Sequence, residues 1–453
     1  MLHKLSIKQK LLKGGGWAFS GKVVGVLAGL AVNALLVRLL TQEEMGAYFL
    51  TFSLVSFAAI VAQLGLTQTI VRLVAESMGS GRTGRTRQSV IVVLRITAVS
   101  VLIVACFLVF GVGQGIAERF FSSLIMSQAM GLAAVWTAIV TFQQLMAEIY
   151  RGFHDIRLAT IFGGLSTSVF SMLLFIVLWL VQGHADIAQI IFLTLVADAG
   201  SILISSAILW DKLNTLVPAS SEDETFSFLD VLFASWPIWI THVTVFVLIQ
   251  ADLWIMGLFR SSEEVAIYGA SSRLVALVTM PLLIINAVVP PLIAEMYAQN
   301  KIRELENILR AVSTLAVLPS LIALAVFIFF GDSILGFLFG SFYKTGGIII
   351  IILSVGQLAN IWAGSSGVVL IFTGYQFEMM LITILSGVLM IAMGWWLVGD
   401  YGAVGVASAA CGGMFLQNIL MLLTAKWKAG IWTHVNPRLI NDMSLFSRYK
   451  NNK

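Results

Sequence analysis

Long apolar runs separated by short polar breaks fill all 453 residues of the chain. A membrane-crossing helix takes about 20 mostly apolar residues, and on that measure the pattern predicts about twelve spans. They lie near 17–40, 46–75, 88–112, 120–148, 157–182, 187–210, 229–258, 264–298, 307–330, 345–373, 377–399 and 402–425. The longest hydrophilic interruption, Asp211 to Ser227, carries Pro218, Ser220, Ser221, Glu222, Asp223 and Glu224 and reads as a linker. The expected organisation is therefore an N-terminal segment 1–16, a six-helix bundle 17–210, a linker 211–228, a second six-helix bundle 229–425 and a basic tail 426–453.

The two halves look alike. Thr41 Gln42 Glu43 Glu44 Met45 Gly46 Ala47 Tyr48 returns 220 positions later as Ser261 Ser262 Glu263 Glu264 Val265 Ala266 Ile267 Tyr268. Ala75 Glu76 returns as Ala294 Glu295, Phe110 Gly111 as Phe330 Gly331, and Gly152 Phe153 His154 as Gly374 Tyr375 Gln376. Duplicated membrane halves that move about a central site are a recurrent way to build a transporter.

Composition agrees, with 59% hydrophobic and 11% charged residues where soluble domains carry roughly a quarter charged. Lys and Arg outside the spans gather in alternate connections: Lys4 to Lys13, Arg82 to Arg87, Arg151 and Arg157, Lys212, Lys301 and Arg303, and the tail from Lys426. The positive-inside rule then puts both termini in the cytoplasm, which demands an even number of spans and sets the two halves parallel. Residues 1–16 alternate Leu with Lys and suit either a helix lying on anionic headgroups or a frayed tail. The first span is too long for a signal peptide and is expected to be retained.

Charge inside spans is costly, so it marks candidate sites. The first half carries Lys22, Arg38, Arg72 and Arg95 against Glu76, Glu148 and Asp198. Arg72 and Glu76 stand four apart and either neutralise each other or face a wet cavity. Lys22 and Arg95 lie near enough to span ends to snorkel. Arg38 either pairs with Glu43 or Glu44 or faces the interior, and Lys22 and Asn33 share a stripe of helix 1. In the second half Thr241, Thr244 and Asp252 share one helix face, and Ser272, Thr279 and Asn286 another, beside Arg273. Asp252 either pairs with Arg273 or takes part in proton or sodium coupling, for which Asp198 and Glu295 are also candidates by their membrane position. Pro281, Pro290 and Pro291 are expected to bend or break their helix. His242 reads as a polar core residue. Neither it nor Cys106 and Cys411 has partners at metal-ligand spacing. No Walker A pattern and no nucleophile, base and orienter arrangement occurs, so neither an ATPase nor an enzyme is expected, and no cofactor.

The Lys and Gly stretch before helix 1, the turn Leu39 to Tyr48, the segment Gln63 Leu64 Gly65 Leu66, and Met280 Pro281 with Pro290 Pro291 resemble the polysaccharide flippases of the Wzx type. These share a superfamily with the MATE drug exporters and the lipid II flippases. The resemblance covers essentially the whole chain. It implies an all-α, MATE-like pair of six-helix bundles in a bacterial inner membrane, moving an undecaprenyl-diphosphate-linked oligosaccharide between leaflets by alternating access for surface polysaccharide such as O-antigen. Its partners would be that lipid, the surrounding membrane lipids, and polysaccharide polymerase and chain-length proteins as candidates, with no nucleic acid. The diphosphate and sugar would meet Arg38, Arg72, Arg95, Arg273, Lys22 and Asn33. The alternative is a cation-coupled multidrug exporter of the MATE type, whose first helix typically carries a carboxylate where this one has Lys22, Asn33 and Arg38. A membrane glycosyl polymerase is disfavoured by the short external connections.

Overall fold

The computed structural model describes the backbone of residues 7–79, 83–216 and 228–437. The side chains of 7–20 and of Lys22, the core of the expected linker at 217–227, and the tail from Arg438 lie outside the described residues, as do residues 1–6. Among the described residues every regular element is helical. The principal helices are α1 (Ile7–Leu39), α2 (Gln42–Gln63), α3 (Leu66–Gly79), α4 (Thr83–Phe107), α5 (Met130–Gly152), α6 (Ser166–Val181) and α7 (Ile187–Leu216). After the linker come α8 (Phe228–Phe259), α9 (Ser262–Ala298), α10 (Ile302–Phe339), α11 (Gly347–Ala363), α12 (Ser366–Phe372) and α13 (Gln376–Thr424).

Ten of the described helices are long and apolar enough to cross a membrane. The last of these runs through α13, whose backbone leaves helical geometry at Gly402 and so forms two spans, while α1 contributes the apolar stretch Val23–Leu39. Twelve spans result, matching the twelve apolar runs of the sequence. Their outer faces carry side chains that water would not tolerate in such number: Phe110 is 83% exposed, and Phe329 and Trp396 78% each. The molecule is a multi-pass membrane protein.

Inside a bilayer the backbone must satisfy itself, and the hydroxyls follow. Thr51, Thr137, Thr141 and Ser77 each donate to the carbonyl four residues back on their own helix. Helix contacts rest on packing and a few cross-helix hydrogen bonds, because lipid tails already solvate apolar side chains.

By contact the chain forms two compact units, Met1–Gln250 with Ser261–Ala266, and Ala251–Arg260 with Ile267–Lys453. The first has a core of Leu66, Ile70, Val74, Val90, Val93, Ile149 and Tyr150, drawn from α3, α4 and α5. The second is built around Ile293, Leu305, Leu309, Val369, Leu370 and Ile431.

The two copies of the sequence repeat have structural counterparts. Thr41 caps α2, its hydroxyl accepting from Glu44 N while Glu44 reaches back to Thr41 N at 2.9 Å. Ser261 holds the same place before α9, its hydroxyl 3.5 Å from Glu264 N. At the basic end of the first unit Lys212 pairs with Asp155 at 2.9 Å and lies 5.2 Å from the Phe153 ring centre. In the second unit Lys428 pairs with Glu378 at 3.4 Å and lies 5.8 Å from the ring centre of Tyr375. Phe153 and Tyr375 are the aromatic residues of the Gly-Phe-His and Gly-Tyr-Gln repeat. In both units a lysine late in the sixth span is thereby clamped on the turn between the fourth and fifth.

Helix breaks fall where no proline stands. Of the bend or break expected in α9 from Pro281, Pro290 and Pro291, no break is seen, since α9 is continuous from Ser262 to Ala298. The second span instead breaks at Leu64 and Gly65, both left-handed with φ of 48° and 73°. At Gly65 a Cβ would stand 2.3 Å from the Ser235 carbonyl oxygen of α8, so both the backbone conformation and the close approach require glycine. The break exposes the Val61 carbonyl, which accepts from the Trp239 indole N–H at 3.1 Å.

Candidate functional site

The break at Gly65 releases α3 as a short helix with two unlike faces. Leu66, Ile70, Leu73, Val74 and Ser77 are buried. Gln68, Arg72 and Glu76, spaced four apart, share the opposite, exposed stripe. A helix with one apolar and one charged face buries the first against the protein and turns the second to water. Arg72 and Glu76 approach to 3.7 Å with both side chains more than half exposed. One turn earlier Gln68 Nε2 lies 3.0 Å from His242 Nε2 of α8. The amide nitrogen donates, so the imidazole accepts at Nε2 and carries its proton on Nδ1. Gln68, Arg72, Glu76 and His242 thus form one polar strip in the first unit, the candidate site. Among the described residues no group of three or more His, Cys, Asp or Glu side chains gathers to hold a metal.

A second polar group lies deeper in the same unit. Asp198 on α7 is 1% exposed, and its Oδ2 accepts from Trp136 Nε1 of α5 at 3.2 Å. Thr167 of α6 stands beside the carboxylate and itself accepts from Gln143. Ser166 and Ser201 are hydrogen-bonded at 2.6 Å across the same pair of helices, α6 and α7. In the second unit Asp252 Oδ2 accepts from Tyr268 O–H at 2.8 Å and its Oδ1 from the Leu253 amide at 2.7 Å.

A family model described as polysaccharide biosynthesis protein matches residues 11–297. The chain belongs to the polysaccharide biosynthesis protein family. The MatE model matches residues 237–396. Among solved structures, the inward-facing conformation of a multidrug resistance MATE family transporter of the MOP superfamily has a TM-score of 0.77 at 16% identity. That alignment covers 90% of this chain and 94% of the other. The outward-facing conformation of such a transporter gives 0.65 at 16% identity, with 93% and 96% coverage. A MOP superfamily transporter from Pyrococcus furiosus, whose binding pocket is described as having reverse polarity, gives 0.63 at 15% identity, with 93% and 96% coverage. At these identities the likeness speaks to the fold. No curated protein sequence matches the chain. The chain is thus a multi-pass membrane member of the polysaccharide biosynthesis protein family with a MATE-like fold.

The predicted site residues of this family member are scattered. Arg72 lies in the strip. Arg38, in the last turn of α1, is exposed and places its guanidinium carbon 5.9 Å from the ring centre of Trp179 on α6, in place of the expected pairing with Glu43 or Glu44. Glu44 is taken up by the α2 cap. Arg95 is exposed on α4. Asn33 donates to the Gly29 carbonyl of its own helix at 2.7 Å. Arg273 is half-buried on α9 of the second unit and engaged there. Glu295 is exposed and accepts from Gln299 at 3.3 Å. Ser272, Thr279 and Thr241 donate to carbonyls of their own helices. Gln68 and His242 did not stand out from the sequence as a pair; the i, i+4, i+8 spacing of Gln68, Arg72 and Glu76 was the available signal.

Proposed function

We propose that the protein is a flippase that carries undecaprenyl-diphosphate-linked oligosaccharide units across the bacterial inner membrane for surface polysaccharide synthesis, with both termini in the cytoplasm. The observation that carries this reading is the exposed polar strip of α3, headed by Arg72 and flanked by Gln68 and His242. A diphosphate-sugar headgroup loses several kcal/mol for each polar group stripped of water, so it needs a wet, cationic path while its prenyl chain stays in lipid. Arg72 offers a permanently charged planar fork that matches phosphate oxygens, and Gln68 and His242 offer partners to sugar hydroxyls. Arg38, Arg95 and Arg273 are further contacts along the route, and Asp198 and Asp252 are the carboxylates through which an ion gradient would act. Support comes from the family match over residues 11–297.

A second reading, a cation-coupled multidrug exporter, draws on the MatE match over residues 237–396. Against it, α1 offers no acid between Gly21 and Leu39.

The test uses proteoliposomes containing the purified protein and a synthetic polyprenyl-diphosphate-linked disaccharide, with headgroup exposure read by a membrane-impermeant glycosidase. Protein-dependent transfer between leaflets, cut at least tenfold in Arg72→Gln, is the expected outcome. Absence of transfer, together with gradient-driven efflux of a cationic dye from the same vesicles, rejects the flippase reading.

A further inference from the structure

The chain beyond α13 folds back as residues 430–437, which lie as a strap across the basic end of the second unit. There the break between α11 and α12 at Gly364 leaves two carbonyls without helical partners. The strap supplies both: Val435 N donates to Trp362 O at 3.0 Å and Thr433 O–H donates to Ala363 O at 2.5 Å. A Cβ on Gly364 would stand 2.5 Å from the Thr433 carbonyl oxygen, so the break and the strap fit each other closely. On the other side the strap is tied to α10. Trp432 N donates to Glu306 Oε2 at 3.1 Å, Asn436 N donates to Thr314 Oγ1 at 2.9 Å, and Arg310 Nε donates to the His434 carbonyl at 3.3 Å.

One contact is conditional on protonation. Arg310 Nη2 lies 3.0 Å from His434 Nε2. A guanidinium only donates, so Nε2 must be bare and accept. Protonating the imidazole turns it into a second donor and sets two cations face to face. The charged groups facing it are Arg310 and Glu306 of α10, themselves 3.5 Å apart, with Lys426 at the end of α13 reaching the same Glu306 at 3.4 Å. From α11 comes the neutral ring of Trp362, 5.6 Å from the imidazole centre, and within the strap Trp432 meets it edge-on at 5.1 Å.

We infer that residues 430–437 are an acid-released latch that pins α10 to the break between α11 and α12. Burial first, and then the Arg310 charge, hold His434 below the ordinary histidine value, with Glu306 pulling partly the other way. The docked strap therefore binds fewer protons than the free one. Docking is strongest above the free histidine value of about 6.5 and weakens as pH falls through it, until the docked imidazole titrates too. Letting go leaves the carbonyls of Trp362 and Ala363 to water and frees the break at Gly364 to act as a hinge.

Hydrogen–deuterium exchange of the full chain in nanodiscs, corrected for intrinsic rates, reads the latch through the amides of Trp432, Val435 and Asn436. Protection falls several-fold between pH 7.5 and 5.5 in the wild type, because the docked strap binds fewer protons than the free one. In His434→Gln, which keeps an acceptor for Arg310 and does not titrate, the two pH values give the same protection. Glu306→Gln keeps the acceptor for Trp432 N and removes the offsetting charge, so its acid-induced loss exceeds the wild type's. Equal protection at both pH values in the wild type overturns the inference. So does an acid-induced loss surviving in His434→Gln, or one no larger in Glu306→Gln.

Discussion

Asp198 is a carboxylate 1% exposed in the first unit, with Trp136 as its hydrogen-bond donor on Oδ2 and the Thr167 hydroxyl beside it. Burying a charged carboxylate with so few donors still costs several kcal/mol. Asp198→Asn keeps the shape and an acceptor for Trp136 while removing that charge. Thermal unfolding at pH 8, followed by tryptophan fluorescence, should show the variant more stable than the wild type while transport falls. A lower midpoint would mean that the carboxylate holds the core together and is not retained for function. Charges nearer the helix ends behave otherwise. Lys212 has a 2.9 Å ion pair and the Phe153 ring beneath it, with its side chain 19% exposed, whereas Lys428 is 35% exposed and its pair is 3.4 Å long. Exposed ion pairs are worth about 0–1 kcal/mol and desolvated cation–π contacts about 2. Lys212→Met should therefore cost about 1–2 kcal/mol and Lys428→Met under about 1 kcal/mol, read as the difference in their urea unfolding midpoints. Equal costs would show that the two clamps, though alike in sequence, are alike in energy too.

At the scale of the helix, the breaks matter more than the spans. All twelve spans were legible because apolar runs of membrane length have few alternative fates. The breaks were not, since they depend on a partner that the local sequence does not announce. Pro281, Pro290 and Pro291 sit in a helix that stays continuous, while Leu64 and Gly65 turn left-handed because α8 comes close there and Trp239 takes the freed carbonyl. The strap at 430–437 was hidden likewise: its holdings are hydrogen bonds from Thr433, His434 and Asn436, which carry no hydrophobic pattern and read as tail. The candidate strip was half visible, Arg72 and Glu76 by their spacing and Gln68 with His242 only once α3 and α8 were placed. Trp239→Phe tests the first break. It keeps an aromatic ring but removes the indole donor to Val61 O, leaving that carbonyl only the longer bond from Leu64 N at 3.4 Å, and should cost about 1 kcal/mol of stability. Gly65→Ala adds left-handed strain to a collision with the Ser235 carbonyl and should cost more. If Gly65→Ala unfolds at the wild-type midpoint in detergent, the break is not held as described.

For the whole molecule the decisive quantity is the sign of the charge moved. A cytoplasm-negative potential drives an anionic headgroup outward with about 2.3 kcal/mol per charge per 100 mV, a ceiling of about 50-fold in rate for each uncompensated charge. The same potential holds back the exit of an organic cation. The two functional readings therefore predict opposite responses in one preparation, independent of which arginines line the path. Vesicles given a potassium diffusion potential with valinomycin, negative on the side of the termini, should move the diphosphate-linked disaccharide several-fold faster than at zero potential. Arg72→Gln should be slower throughout yet steeper in its voltage response, because less of the headgroup charge is balanced by the protein while it crosses. A rate that is flat with potential in the wild type and in Arg72→Gln means that the headgroup travels fully neutralised, by protons or a bound cation. The carboxylates Asp198 and Asp252 then become the groups to substitute first. A rate that falls with potential removes the anionic substrate from consideration.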